Sequence, residues 1–249
     1  MHLSCSSYQQ IYLVDKLKMA SLRKINFEII KNNNGKFCIK VNNKLLKTPK
    51  ENLVELPNFS LAKILLQDYK SKIKSKDVNI VSAIKITNTA IDKIKPQNSY
   101  YIDEITNNLN NDVLCYFSSS PEELVNIQNK EWLPLIHYMK SSYDIDLTYT
   151  SNLFAINQKT ESLSKLKNIL KEENIFRLSA FYTLSQITKS IIIPLALVNN
   201  KISAKKAFEN SNLEELYQIS KWGKDEEAFN RLNTIKVDIR NIKKYYDSV

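Results

Sequence analysis

"INFEIIKNNNGKFCIKVNNKLLKTP", Ile25 to Pro49, decides the class of fold. Ile25, Phe27 and Ile29 fall on alternate residues, and so do Phe37, Ile39 and Val41. A period of two is the signature of a half-buried strand, because successive side chains leave opposite faces of the backbone. Between the two runs lies "KNNNGK", where Gly35 is free to take a positive φ. Asn42-Asn43 offers a second tight turn, since asparagine tolerates the left-handed region. Leu45 and Leu46 follow, and "LVEL" (Leu53 to Leu56) supplies one more short extended piece. The stretch predicts an antiparallel meander of three or four strands that ends near Leu56. A sheet this small cannot stand alone and needs another element over one face.

Downstream the apolar period changes to that of a helix. Leu61, Ile64, Leu65, Asp68 and Tyr69 share a helical face, and "SAIKITNTAIDKI" and "QNSYYIDEITNNL" predict a second and a third helix. Ser120-Pro121-Glu122-Glu123 reads as a helix start, with Ser120 as cap, Pro121 at the first position and Glu123 closing a capping box. Leu124, Ile127, Trp132, Leu135, Ile136 and Met139 mark that helix's apolar face, and Pro134 is expected to kink it. Leu163, Leu166, Ile169 and Leu170 mark another helix. Ile175 to Val198 predicts one long helix or two short ones, and Ala204 to Trp222 two more. The last runs from about Asp225 to Tyr246, with Phe229, Leu232, Ile235, Ile239 and Ile242 inward. The expected class is α+β: a small N-terminal antiparallel β domain followed by a larger all-helical orthogonal bundle. The expected division is a tail at 1–24, a β domain with one helix at 25–82, and a multi-helix domain at 83–249.

Composition excludes several classes of function. Three cysteines, Cys5, Cys38 and Cys115, are odd in number and form no CxxC, which argues against a disulfide framework or a zinc ribbon. Two glycines in 249 residues leave no GxGxxG and no P-loop, both of which need glycine where backbone meets phosphate. His2 and His137 are the only histidines, so a triad or a histidine metal site would rest on His137 alone; a Cys115–His137 dyad is conceivable, but His137 reads better as a partly buried polar residue of a helix. Asp103-Glu104 and Glu172-Glu173 are sequence neighbours, about 100° apart on a helix, and make no acid/base pair by themselves. No catalytic residue, cofactor site, metal site or small-molecule substrate is expected. The longest apolar run, Ile191 to Val198, is far short of the roughly 20 residues that cross a bilayer.

The formal charge of +10 is concentrated at the start: residues 1–80 hold 15 Lys/Arg against 6 Asp/Glu. Nucleic acid is one reading of that bias, and the tyrosine pairs Tyr100-Tyr101 and Tyr245-Tyr246 could stack bases. Only four of the basic residues are arginine (Arg23, Arg177, Arg231 and Arg240), and no RNP, KH or helix-turn-helix pattern occurs. A basic nucleic-acid-associated helical protein is the alternative reading. Residues 1–24 lack the layout of a secretory signal, carry Asp15 and no early arginine, and are expected to be poorly ordered or loosely docked.

Five stretches, in order, point to one family. "VNNKLLKTP" (Val41 to Pro49) resembles V-x-x-D-G-R-x-L-K-T-P, and "TNTAIDKI" (Thr87 to Ile94) resembles A-N-T-A-I-D-R. "NDVLCYF" (Asn111 to Phe117) resembles T-D-L-L-C-Y, and "NKEWLPLIHY" (Asn129 to Tyr138) resembles Q-x-x-x-W-D-P-L-L. "LEELYQISKWGKDEEA" (Leu213 to Ala228) resembles L-D-E-x-W-Q-x-x-x-W-G-x-D-x-E-A. These are signatures of the assembly chaperones of the ATP synthase F₁ sector, F₁ complex assembly factor 2 of mitochondria and its α-proteobacterial relatives. The sequence departs from the pattern at Asn42-Asn43 (for Asp-Gly), Lys85 (for Arg), Tyr217 (for Trp) and Lys189-Ser190 (for a Gly-Ser step that would allow close helix packing).

The resemblance implies a protein that binds the free α subunit of F₁ and keeps it from aggregating, with no enzymatic activity and no cofactor. It further implies a role for acids near the Trp222-Gly223 corner, carried here onto Asp225, Glu226 and Glu227, of which Glu227 aligns best. Read as a helix boundary, the same corner has Gly223 as a left-handed cap and three acids in the next first turn, each worth a few tenths of a kcal/mol against the helix dipole. That reading leaves Trp222 unexplained. The candidate partner-binding residues are therefore Trp222, Gly223, Asp225, Glu226, Glu227, Glu215 and Tyr217, with Trp132 as a further aromatic anchor. The expected compartment is a bacterial cytoplasm, or the mitochondrial matrix if the source is eukaryotic.

Overall fold

The computed structural model describes residues 25–74, 81–152, 154–223 and 225–249. The sequence-predicted tail, with His2 and Cys5, lies outside the described residues. The fold is α+β, with a small antiparallel sheet followed by helices. Strands β1 (Phe27–Lys31) and β2 (Phe37–Val41) pair in the register Phe27–Val41, Ile29–Ile39 and Lys31–Phe37. The turns form as their residues predict: Gly35 has φ +74°, and Asn42 and Asn43 have φ 48° and 66°. β3 (Lys44–Leu45) and β4 (Glu55–Leu56) share the other side of β2. β1 is thus an edge strand among the described residues.

Helix α1 (Phe59–Lys74) covers the face of the sheet that holds Ile39 and Leu56, both fully buried. α2 (Ala83–Thr89) is capped by Ser82, whose side chain accepts from the Lys85 amide. It runs on as a π turn, Ala90–Ile94, and a 3₁₀ turn at Pro96. The π turn carries Asp92, 8% exposed, to the loop between β3 and β4. There Asp92 accepts from the Thr48 hydroxyl at 2.6 Å, the Asn52 side chain at 2.8 Å and the Lys50 amide at 3.3 Å. The "KTP" and "AID" motifs thereby meet.

α3 (Asn98–Asn107) leads through one 3₁₀ turn to Asp112, which caps a second. Asp112 is fully buried and gathers the Leu114 amide at 3.0 Å, the Ser190 hydroxyl at 2.9 Å, and the Ile191 and Ile192 amides at 2.5 and 3.0 Å. Burial pushes its carboxyl up, and the four donors pull the other way. The Ile175–Val198 run is two helices, α6 (Ile175–Thr188) and α7 (Ile192–Val198), following α5 (Thr160–Lys171). Lys189 sits at their junction with φ 52°, the conformation a glycine would adopt freely. The exchange of Gly for Lys does not loosen the packing there, since Ile191, Ile192 and Ile193 remain fully buried.

The start of α4 (Glu122–Tyr143) corrects three expectations, those for Ser120, Pro121 and Glu123. Ser120 is not its cap; Pro121 holds the cap position with no side-chain cap bond, and the Ser120-Pro121 peptide is cis. The Glu123 carboxylate turns to another helix instead of closing a capping box. Pro134 lies inside an unbroken helix. Trp132 is 1% exposed, donates its indole N–H to the Asn210 carbonyl at 3.2 Å and meets Phe117 edge-on, so it belongs to the core and not to a docking surface.

α8 (Ala204–Ser211), α9 (Leu213–Trp222) and α10 (Glu226–Asp247) complete the chain. α10 packs on α6 and α8 through Leu232, Ile239 and Ile242, whereas Phe229 is 41% exposed and not inward as its spacing predicts. Asp238 accepts from the Val81 amide at 2.8 Å, and the Tyr245 and Thr87 hydroxyls lie 3.0 Å apart, which ties the last helix to α2. One apolar cluster runs from Ile39 and Leu56 through Ile94 and Trp132 to Tyr246.

Candidate functional site

The corner at the α9–α10 junction forms from local chemistry. α9 ends at Trp222, and the Gly223 amide closes its last turn on the Ile219 carbonyl at 3.0 Å. Gly223 has φ 90° and ψ 176°, a positive-φ region that is nearly exclusive to glycine but is not the left-handed helical cap its position predicts. Asp225 caps α10 by accepting from the Glu227 and Ala228 amides at 3.4 and 3.2 Å. Glu226 and Glu227 occupy the first turn, exposed, where the helix dipole favours them.

The candidate residues divide into two groups. Tyr217 and Lys221, one turn apart on α9, both reach Glu123 of α4: the Tyr217 hydroxyl donates at 3.2 Å and the Lys221 ammonium lies at 2.6 Å. That ammonium also lies over the Tyr217 ring, 5.4 Å from its centroid. The Lys221 contact holds the Glu123 carboxyl below its ordinary range. Glu215 pairs with Arg231 and so joins α9 to α10. Glu214 accepts from the buried Gln128 at 2.8 Å and from Ser118 at 3.3 Å. These residues anchor α9 to the body. Trp222 is different: it is 79% exposed. Trp222, Glu226 and Glu227 are each exposed, Trp222 at the end of α9 and the two acids at the start of α10.

Glu123, Glu214 and Arg231 were not legible as parts of this corner. The Tyr217/Lys221 spacing of four residues marks a common stripe, but nothing in sequence pairs that stripe with Glu123, 94 residues away.

The other candidate chemistries come apart. Cys115 is fully buried beside the Gln158 amide, with its thiol pushed up by burial, whereas His137 is exposed on α4 and not partly buried as expected. No cluster of metal-ligating side chains occurs among the described residues, and none of their helices is long and apolar enough to cross a membrane. Tyr245 and Tyr246 are core residues, 1% and 7% exposed, and Arg177 stacks on Tyr246 at 5.1 Å, so this pair offers bases no open platform.

Comparison with known proteins agrees with this fold. The model of the ATP12 chaperone protein family matches residues 20–140. Four of the five family-like stretches lie inside that range; the Leu213–Ala228 stretch lies outside it. Protein atp12, mitochondrial, of Schizosaccharomyces pombe is 23% identical over 207 residues, which cover 78% of this chain and 71% of that protein. The crystal structure of Atp12 from Paracoccus denitrificans superposes with a TM-score of 0.80 at 26% identity, over 90% of this chain and 95% of that one. The Atu1473 protein of Agrobacterium tumefaciens shares the fold with a TM-score of 0.84 at 24% identity, over 90% of this chain and 84% of its own. The chain is similar to the ATP12 family, a family of chaperones and not of enzymes.

Proposed function

We propose that this chain is an assembly chaperone of the ATP synthase F₁ sector that holds the free α subunit, before it joins β, through the α9–α10 corner. The observation that carries the proposal is the exposure of Trp222, 79%, in a chain that buries its other tryptophan to 1%. An exposed large aromatic with exposed acids a few residues on in sequence fits the aromatic anchor and polar rim of a protein interface. The Gly223 backbone turn and the Asp225 cap form without drawing on the side chains of Trp222, Glu226 or Glu227. Tyr217 and Glu215 then act from behind, as the ties that set the angle of α9. An interface of standard size covers about 800 Å² on each partner, so the corner would be its centre and not its whole extent. The site of action is wherever F₁ is assembled, a bacterial cytoplasm or a mitochondrial matrix.

The test is co-expression of this chain as bait with the α or the β subunit of its own organism, each offered separately. Soluble α recovered with the bait, and β left behind, supports the proposal. Recovery of neither, with α still aggregating, overturns it.

A further inference from the structure

The free side of β1 is built to accept another strand. Asn42 donates to the Asn26 carbonyl at 2.9 Å, and Asn32 donates to the Lys36 carbonyl at 2.8 Å. Antiparallel pairs alternate between bonded and non-bonded, so Glu28 and Ile30 face β2 with their backbone groups. The N–H and C=O groups of Phe27, Ile29 and Lys31 then point away from β2, and none of them has a hydrogen-bond partner among the described residues. The side chains of these same three residues lie on the face that α1 covers.

α1 shapes the space beside that edge. Phe59, Lys63, Leu66 and Lys70 form one stripe along it, at spacings of four, three and four residues. Lys70 lies over the Phe27 ring at 5.8 Å, Lys63 over Phe59 at 5.7 Å, and Lys31 over Phe37 at 5.8 Å. Phe27, Ile29 and Leu66 are only partly buried, and Phe59 is 48% exposed. Among the described residues none of the three lysines has a carboxylate partner. The seam thus combines an unpaired strand edge, an apolar floor at Ile29 and Leu66, and unneutralised cations towards both ends.

We propose that this seam binds an extended segment of a partner polypeptide by strand addition to β1, with an apolar side chain beside Ile29 and acidic side chains beside Lys31 and Lys70. Main-chain hydrogen bonds supply the affinity and the alternate side chains the selectivity. The lysines also choose the occupant. They repel the same edge of a second copy, as edge lysines commonly do, and attract a strand of opposite charge. The proposal is independent of the α9–α10 corner, which lies on other elements.

The experiment is a titration of the full ¹⁵N-labelled chain with a capped peptide that has Glu at its first and fifth positions, Ile at the third and Thr between. The expected result is saturable shifts centred on the amides of Phe27, Ile29 and Lys31. N-methylation of the peptide amides that face β1 is expected to weaken binding by about tenfold, since two main-chain bonds are lost. Lys31→Glu with Lys70→Glu, both exposed, is expected to abolish binding of the Glu peptide and to admit its Lys counterpart. In the free chain the Phe27, Ile29 and Lys31 amides are expected to exchange with solvent much faster than those of Glu28 and Ile30. Equal protection of both sets overturns the proposal, because the edge would already be covered. Equal binding of the N-methylated peptide overturns it, and so do shifts that miss β1 or that arise only with a single-stranded oligonucleotide.

Discussion

Thr48 and Asp92, 44 residues apart, meet through a 2.6 Å hydrogen bond between hydroxyl and carboxylate. The contact joins the loop behind the sheet to the π turn of α2 and closes the two halves of the family signature on each other. Asp92 also receives the Asn52 side chain and the Lys50 amide, so one acidic side chain satisfies three donors. Asp92→Ala orphans all of them. The expected loss is roughly 2–3 kcal/mol of stability, read as a fall of the thermal midpoint by about 5–10 °C. Asp92→Asn, which keeps the shape and one acceptor, is expected to lose less.

The two tryptophans separate packing from surface. Trp132→Ala removes a fully buried ring and its indole hydrogen bond, and is expected to destabilise by about 3–5 kcal/mol. Trp222→Ala changes an exposed side chain, with an expected effect on stability within about 0.5 kcal/mol. If the corner serves a partner, Trp222→Ala and Glu227→Ala weaken α-subunit capture in a chain that still unfolds at its normal denaturant concentration. Intact capture in both variants would remove the corner from the proposed function.

Gly223 has open space around its missing Cβ, yet its φ of 90° is strained for any other residue. Gly223→Ala is therefore expected to act through backbone strain, about 1–2 kcal/mol, without a steric clash. Hydrogen exchange should show the change in α9 and the first turn of α10, with the β2 amides unmoved.

Lys189 shows the opposite case, a side chain in a glycine's conformation. It is exposed, and its carbonyl accepts from the Val113 amide at 3.1 Å, a bond that any residue can keep. Lys189→Gly is expected to stabilise the chain by about 0.5–1 kcal/mol, as a higher midpoint in urea.

Asp144 supplies an acid-sensitive tie. It ends α4 at φ 54° and binds Lys140 and Lys165, whose hydrogen bonds hold its carboxyl down at about 2 from an ordinary 3.8. The folded value lies below the unfolded one, so the unfolded chain takes up the proton first. The stability carried by the ionised form is fully present above pH 3.8 and is lost as the pH falls through about 2. Asp144→Asn keeps a residue that accepts the left-handed turn and removes the charge. It is expected to flatten that part of the acid-stability profile, and added salt should shrink the difference between the two proteins.

Local chemistry alone determined the strands, both tight turns and most helix limits, because strand alternation and turn residues act over a few residues; Asp225, read as part of the first turn of α10, is its cap. It also determined what the chain lacks the parts to do, since glycine-rich and histidine-based sites leave marks in composition. Tertiary structure decided which of two similar tryptophans is core and which is surface, because helical spacing shows that a face exists but not what covers it. It likewise decided that Glu123 ties α9 instead of capping α4, and that Asp112 gathers the α6–α7 junction from 78 residues away. In each case a carboxylate binds whichever donors the fold brings to it, and that choice depends on the packing of whole helices, which no local pattern encodes.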